Sequence, residues 1–309
     1  MNHSKKEIIP YASVGLAVLA TLIWSGNFVI ARAVHDKIGP VSLAFFRWSL
    51  ASLIMLPFGL KQVVAQRKII RKNAAYLFWA ALTGISLFNT CIYISGKYTP
   101  AIKIALIGTT SSPIMAVILA RIFLKESVNI IRAIGIILCI SGIFLLLGQG
   151  DFRRVLQLHF ELGDMWILLG AFFFAIYNVL VRRKPRDLNP IVFLTVLFVA
   201  GSLLLFPFFL IEWREQPPIS WSWNLICVIV YLGLGNSVLS YIFWNRAIAK
   251  LGTATTALFG NLIPLFSAAE AVWFLGEKIT ALHIVSALLV ITGLIIANIS
   301  TRKKITVRT

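Results

Sequence analysis

Residues 39–60 read GPVSLAFFRWSLASLIMLPFGL, and residues 189–210 read NPIVFLTVLFVAGSLLLFPFFL. Laid over one another without a gap, they pair Pro40 with Pro190, Ser52 with Ser202, Leu53 with Leu203, Pro57 with Pro207, Phe58 with Phe208 and Leu60 with Leu210. One residue further in offset, Asn27 pairs with Asn178, Gly84 with Gly235, Pro113 with Pro264, Glu126 with Glu277 and Gly142 with Gly293. Chance similarity between apolar segments reproduces leucines. It does not reproduce prolines, glycines and a glutamate in register, so the chain is an internal repeat.

Each half is built of apolar runs long enough to cross a bilayer, about 20 residues apiece. Ten such runs fall at residues 11–31, 41–60, 74–95, 101–123, 129–148, 163–181, 190–211, 222–244, 253–274 and 280–299. Backbone groups in hydrocarbon must be satisfied within the segment, so helices are expected. The composition agrees: 59% of the 309 residues are hydrophobic and 13% charged, against roughly 45–50% and 25% in soluble domains. The expected fold is all-α integral membrane, ten helices as two five-helix repeats. The first repeat covers 11–150 and the second 151–300, with tails at 1–10 and 301–309. Five is odd, so the second repeat enters the membrane from the opposite side, which gives inverted repeats, an architecture of secondary transporters.

The net charge of +18 does not mark a nucleic-acid partner, because the basic residues lie in short clusters between apolar runs and form no continuous face. With both termini on one side, 20 Lys and Arg fall in loops and tails of that side and 8 on the other, Lys103 among the eight. The positive-inside rule then places both termini in the cytoplasm of a cell (inner) membrane protein. Trp79, Trp166, Trp213, Trp221, Trp223 and Trp273 lie near helix ends, where interfacial aromatics settle. The run from residue 11 is too long for a signal-peptide core and reads as an uncleaved first helix. Cys91, Cys139 and Cys227 sit in apolar runs with no metal-ligand spacing, so no metal or disulfide framework is expected.

Several motifs share an order with a known family. Leu22-Ile23-Trp24-Ser25-Gly26-Asn27-Phe28, Pro40 with Phe45-Phe46-Arg47-Trp48 and Pro57, Tyr98-Thr99-Pro100-Ala101, Pro113 and Leu124-Lys125-Glu126 resemble the EamA-type family of the drug/metabolite transporter superfamily. Gly252-Thr253-Ala254, Pro264 and Leu275-Gly276-Glu277 repeat the last part in the second half. The resemblance covers the whole chain. It implies a ten-helix carrier, commonly an exporter of amino acids and related metabolites, with helices one, three, four, six, eight and nine around a central cavity. The halves have diverged: the counterpart of Trp24 is Ala175, and that of Arg47 is Leu197.

Ionisable groups inside a membrane cost about 2.5 kcal/mol or more each and call for a reason. Arg47 and Glu270 stand out, the first as a structural cation or one that serves substrate binding or gating, the second as an outer-vestibule group or a site of proton coupling. Asn27 and Asn178 fall on opposite sides of the midplane, and they either flank the substrate path or hydrogen-bond between helices. Asn89, Tyr93, Thr110, Ser111, Asn236, Tyr241 and Asn261 add polar groups within apolar runs, several of them beside Pro113 or Pro264. Each of these prolines removes a helical hydrogen bond, and the polar neighbours either re-satisfy the backbone or line a cavity. Trp24, Phe174, Tyr177 and Tyr241, with Trp244, would suit a solute with an apolar part.

The expected function is therefore secondary transport of a small-molecule substrate by alternating access, in contact with membrane lipids and without a cofactor. No Gly-rich phosphate loop is present to power it with ATP. An integral-membrane enzyme would need converging acids, bases or metal ligands, and the four histidines are scattered. A receptor or assembly factor would need a larger loop or tail to engage a partner.

Overall fold

The computed structural model describes residues 11–124, 129–151, 153, 161–251, 256 and 259–305. Lys125 and Glu126, the Gly252-Thr253-Ala254 motif and the segments 1–10 and 306–309 lie outside the described residues. The described residues form helices joined by short turns, with no strand among them. The principal helices are α1 (Tyr11–Ala33), α2 (Pro40–Ala65), α3 (Ala74–Ser95), α4 (Ala101–Leu124), α5 (Ile130–Leu147), α6 (Leu162–Arg182), α7 (Pro190–Glu215), α8 (Trp223–Leu251), α9 (Gly260–Leu275) and α10 (Ala281–Ile305). A short basic helix, Arg67–Lys72, joins α2 to α3.

Seven of these, α1 to α4 and α6 to α8, are long and apolar enough to cross a membrane. At 1.5 Å per residue they reach roughly 32–44 Å, enough for a hydrocarbon core of about 30 Å. The apolar parts of α5, α9 and α10 are shorter: Ala133–Leu147, Gly260–Leu275 and Ala281–Ala297. The outward faces of α2, α7 and α9 carry large exposed side chains such as Leu53, Phe58, Leu203, Phe208, Trp273 and Phe274, as lipid contact demands. Trp79, Trp213, Trp221 and Trp223 are also exposed.

Local signals set the helix ends. Pro40 and Pro190 occupy first-turn positions, where the missing N–H costs nothing. Glu212 on α7 accepts from the backbone N–H groups of Val41 (3.2 Å) and Ser42 (2.6 Å), capping α2 from another element. Glu277 does the same for α4, accepting from Ala101 (2.7 Å) and Ile102 (3.1 Å). Gly276 ends α9 at φ 67°, a conformation glycine adopts freely.

The repeat is visible in the packing. Ser52 meets its own counterpart Ser202, with 3.3 Å between the hydroxyls, and Trp48 packs on its counterpart Phe198 at 4.9 Å. Around that point α2 and α7 exchange contacts reciprocally. Phe45 stacks on Phe209 at 4.5 Å, while Gly59, the counterpart of Phe209, lies against Thr195, the counterpart of Phe45. On α5 and α10 the Cys139 thiol points at the carbonyl of its counterpart Val290 (3.4 Å). Gly135 there touches Gly293, as Gly142 touches Ser286. Contact of i with j mirrored by the partner of j with the partner of i is the pattern of a two-fold. Residue numbers rise along one helix as they fall along the other, so both pairs run antiparallel. Small residues at Gly135 and Gly293 are needed because a Cβ at either would strike the opposing backbone.

Two features were not expected. α3 widens into a π-helical segment at Leu82–Leu87, and α8 into a longer one at Tyr231–Leu239. They occupy corresponding positions, with Gly84 inside the first and its counterpart Gly235 inside the second. Pro264, read as a mid-helix interruption, stands in the first turn after a 3₁₀ turn, Gly260–Leu262, and so frees no helical carbonyl. Pro113 does lie inside its helix.

Candidate functional site: a buried guanidinium at the junction of the two halves

Arg47 lies eight residues into α2 and is 4% exposed. Its Nη1 donates to Asn27 Oδ1 on α1 (2.6 Å) and to Asn89 Oδ1 (2.8 Å) and Tyr93 OH (2.8 Å) on α3. Nη2 donates to Asn236 Oδ1 (2.6 Å) and Nε to Ser237 Oγ (2.9 Å), both on α8. The guanidinium lies over the neighbouring Trp48 ring, 4.6 Å from its centre. Tyr93 closes the ring by donating to Asn27 Oδ1 (2.9 Å). One cation therefore ties three helices of the first half to one of the second.

The π segment of α8 makes this possible. Asn236 and Ser237 are consecutive and yet both reach Arg47, which the wider turn allows. Ser237 and Ser240 donate to the carbonyls five residues back, Leu232 and Gly235, and so occupy acceptors that a widened turn leaves spare. Asn236 also donates to the Ile23 carbonyl of α1 (2.8 Å), and its own carbonyl accepts from Trp24 Nε1 (3.1 Å). Tyr231 donates to the same Ile23 carbonyl (2.7 Å).

Glu270 of α9 lies on the other flank of α1. Its Oε1 accepts from Ser25 (2.8 Å), and its Oε2 is buried without a partner. An aromatic wall adjoins: Trp24 packs on Tyr241 (5.7 Å) and Trp244 (5.0 Å), and Tyr241 reaches Phe198 (6.3 Å). Phe174 stacks on Phe88 (4.4 Å) and Tyr177 (5.6 Å), with Tyr177 seated against Gly84 of the α3 π segment.

The structure thus brings together Asn27, Asn89, Tyr93, Asn236 and Arg47, and places Trp24, Tyr241, Phe174, Tyr177 and Glu270 about them. Asn178 and Asn261 are half-buried and outside the cluster. Thr110 spends its hydroxyl on the Leu106 carbonyl (2.6 Å), and the Ser111 hydroxyl is buried and unpartnered. Two cavities of about 300 and 350 Å³ lie elsewhere, one beside His35, Gly39 and Glu212, the other among apolar residues of α3 and α7.

Sequence reasoning missed Ser25 and Tyr231, and it missed a buried ion pair. Lys103, assigned above to a loop, lies in the first turn of α4 with Nζ 2.9 Å from Glu161 and 2.8 Å from Asp164. The available signal was an acid pair at the start of α6, Glu161 and Asp164, which also form a capping box.

An all-helical chain with seven membrane-capable helices and a polar cluster between two similar halves defines a multi-pass membrane protein of the transporter type. Residues 12–148 and 161–299 each match the EamA-like transporter family, and the chain belongs to that family. It is 30% identical over 292 residues to "Uncharacterized transporter YyaM" of Bacillus subtilis, covering 93% of this chain and 94% of that one. It is 23% identical over 297 residues to a protein of Streptantibioticus cattleyicolor named "Probable terminal-alkyne amino-acid exporter", covering 93% of each. A solved crystal structure matches with a TM-score of 0.64 at 17% identity, over 95% of this chain and 98% of that one, a likeness of fold.

Proposed function

We propose that this transporter is a secondary carrier that exports small metabolites, amino acids or related compounds, by alternating access about the Arg47 cluster. In this reading α1 to α10 all span the membrane, residues 11–150 and 151–300 form inverted repeats, and both termini face the cytoplasm from the inner membrane. The observation that carries it is the placement of one cation between the halves. Rocking of α8 against α1, α2 and α3 must break or remake the bonds from Arg47 to Asn236 and Ser237, so the cluster reports directly on the conformational change. The reciprocal contacts of α2 with α7 and α5 with α10 support inversion, since a two-fold relating antiparallel spanning helices lies in the membrane plane. The name of the S. cattleyicolor relative supports amino acids as the substrate class. Glu270, with a free buried oxygen, is the proton-coupling candidate.

Counterflow tests the reading. The full chain in liposomes loaded with single amino acids or other small metabolites, with and without a pH gradient, accumulates labelled solute if it is a carrier. Absence of counterflow across the panel, with the protein shown to be folded and inserted, overturns it.

A further inference from the structure

Arg47 is satisfied in hydrogen bonds and unsatisfied in charge. Its acceptors are two hydroxyls and three amide oxygens, all neutral. No carboxylate is among the groups bonded to Arg47, while Asp164 and Glu161 pair with Lys103 and Asp36 with His35. Neutral acceptors hold a guanidinium in place but leave a full positive charge in a medium that penalises it. The donors are also unevenly used. Nη1 shares two hydrogens among three acceptors, while Nη2, which carries two, is given one acceptor, Asn236. A guanidinium offers five hydrogens in a planar fork suited to a carboxylate, and here one stays available.

The surroundings match an organic anion and not a bare one. Trp48, Phe198, Tyr241, Trp24 and Trp244 run outward from Arg47 as a chain of ring contacts. Trp24, Tyr241 and Trp244 are half-buried, so they offer ring faces beyond the packed core. The acid Glu270 accepts from Ser25 of α1 and is not among the partners of Arg47.

Resting on the transport reading above, we propose that Arg47 is the recognition element for the carboxylate of the substrate. The solute supplies the missing counter-charge through the spare Nη2 hydrogen and lays its apolar portion on the Trp24–Tyr241–Trp244 wall. A substrate without a carboxylate leaves the buried charge uncompensated and is rejected.

The test uses matched solutes on the wild-type full chain in liposomes: phenylacetate against phenylacetamide, and phenylalanine against phenylalaninamide. Half-inhibition of counterflow, or of a thermal shift in detergent, should favour each carboxylate over its amide by about tenfold or more, the loss of one charge-assisted hydrogen bond. In Arg47→Gln that preference should fall to near parity, and Arg47→Lys should keep the sign but lose much of the size. A preference for phenylalanine over phenylacetate still supports carboxylate capture and adds an ammonium site. Equal treatment of acid and amide by the wild type overturns the proposal while leaving the carrier reading intact, and needs no variant to fold. If neither member of either pair binds or moves, while another solute without a carboxylate does, the proposal is likewise overturned. If no solute moves at all, the carrier reading fails, and this proposal with it.

Discussion

Replacing Asp164 by Asn should be among the more costly single changes in this protein. Lys103 is 9% exposed in its side chain and Asp164 is fully buried, with Nζ 2.8 Å from Oδ1 and 2.9 Å from Oδ2. Removing one partner of a buried pair leaves an uncompensated charge, which costs ~3–5 kcal/mol. Asn retains an oxygen to accept the Glu161 backbone N–H, now bonded to Asp164 Oδ2 at 3.3 Å, so the helix cap survives and the loss is chiefly electrostatic. Glu161 stays beside Lys103 and should keep the cost near 3 kcal/mol.

Glu161 itself is 47% exposed, so its ion pair is screened, and Glu161→Gln should cost no more than about 1 kcal/mol. Lys103→Met with Asp164→Leu removes both charges together and should recover most of the loss, because a buried pair exchanged for apolar groups is often close to neutral. Unfolding of the wild type, Asp164→Leu, Lys103→Met and the double variant, with Asp164→Asn and Glu161→Gln beside them, titrated in lipid nanodiscs, measures the cycle. Equal costs for Asp164→Asn and Glu161→Gln, or a double variant as unstable as the sum of Asp164→Leu and Lys103→Met, would refute the reasoning.

Other expectations follow from the same contacts. Ser52→Cys with Ser202→Cys, in a background lacking Cys91, Cys139 and Cys227, should form an intramolecular disulfide on mild oxidation, seen by mass; two thiols that stay free contradict the reciprocal packing. Gly293→Leu should abolish the monodisperse folded peak in size-exclusion chromatography, because its side chain would meet the Gly135 carbonyl and Cys139. Asn27→Ala should weaken apparent substrate affinity at least tenfold by freeing Arg47, whereas Asn178→Ala, outside the cluster, should change it less than threefold; the reverse order in counterflow would move the site. Glu270→Gln should flatten the pH dependence of transport with little change in expression, the neighbouring Ser25 and Tyr231 being neutral hydroxyls; a profile parallel to wild type removes the coupling role.

The sequence carried the scaffold further than the chemistry. Apolar runs and the register of Pro40 with Pro190 suffice for helices and a repeat, because both are local or one-dimensional signals. Asn27, Asn89, Tyr93 and Asn236 were legible as polar residues in apolar segments. That they converge on Arg47 was not, since convergence depends on helix rotation, which a single charge on α2 does not specify. The π segments escaped because Gly84, Gly233, Gly235 and the polar Asn236 and Ser237 weaken an ordinary helix without specifying a widened turn. Lys103 looked like a loop residue because it follows Pro100 closely, and only the position of Asp164 across the interface shows it buried.

Symmetry and chemistry are divided between different residues. Those that meet across the two-fold, Ser52 with Ser202, Trp48 with Phe198 and Cys139 with Val290, are small or apolar in both halves. Four charged groups within the helices are single: the counterpart of Arg47 is Leu197, of Glu270 Leu119, of Lys103 Ala254 and of Asp164 Ser13. A two-fold passing through charged residues would set like beside like, which is costly in hydrocarbon. Divergence after duplication escapes that constraint only away from the axis, and there Arg47 recruits Asn27, Asn89 and Tyr93 from its own half and Asn236 and Ser237 from the other. In the alternating-access reading proposed above, a nearly symmetric scaffold encloses a site with a single cation, and the difference between its two faces would rest on the bonds from Arg47 to Asn236 and Ser237 of α8.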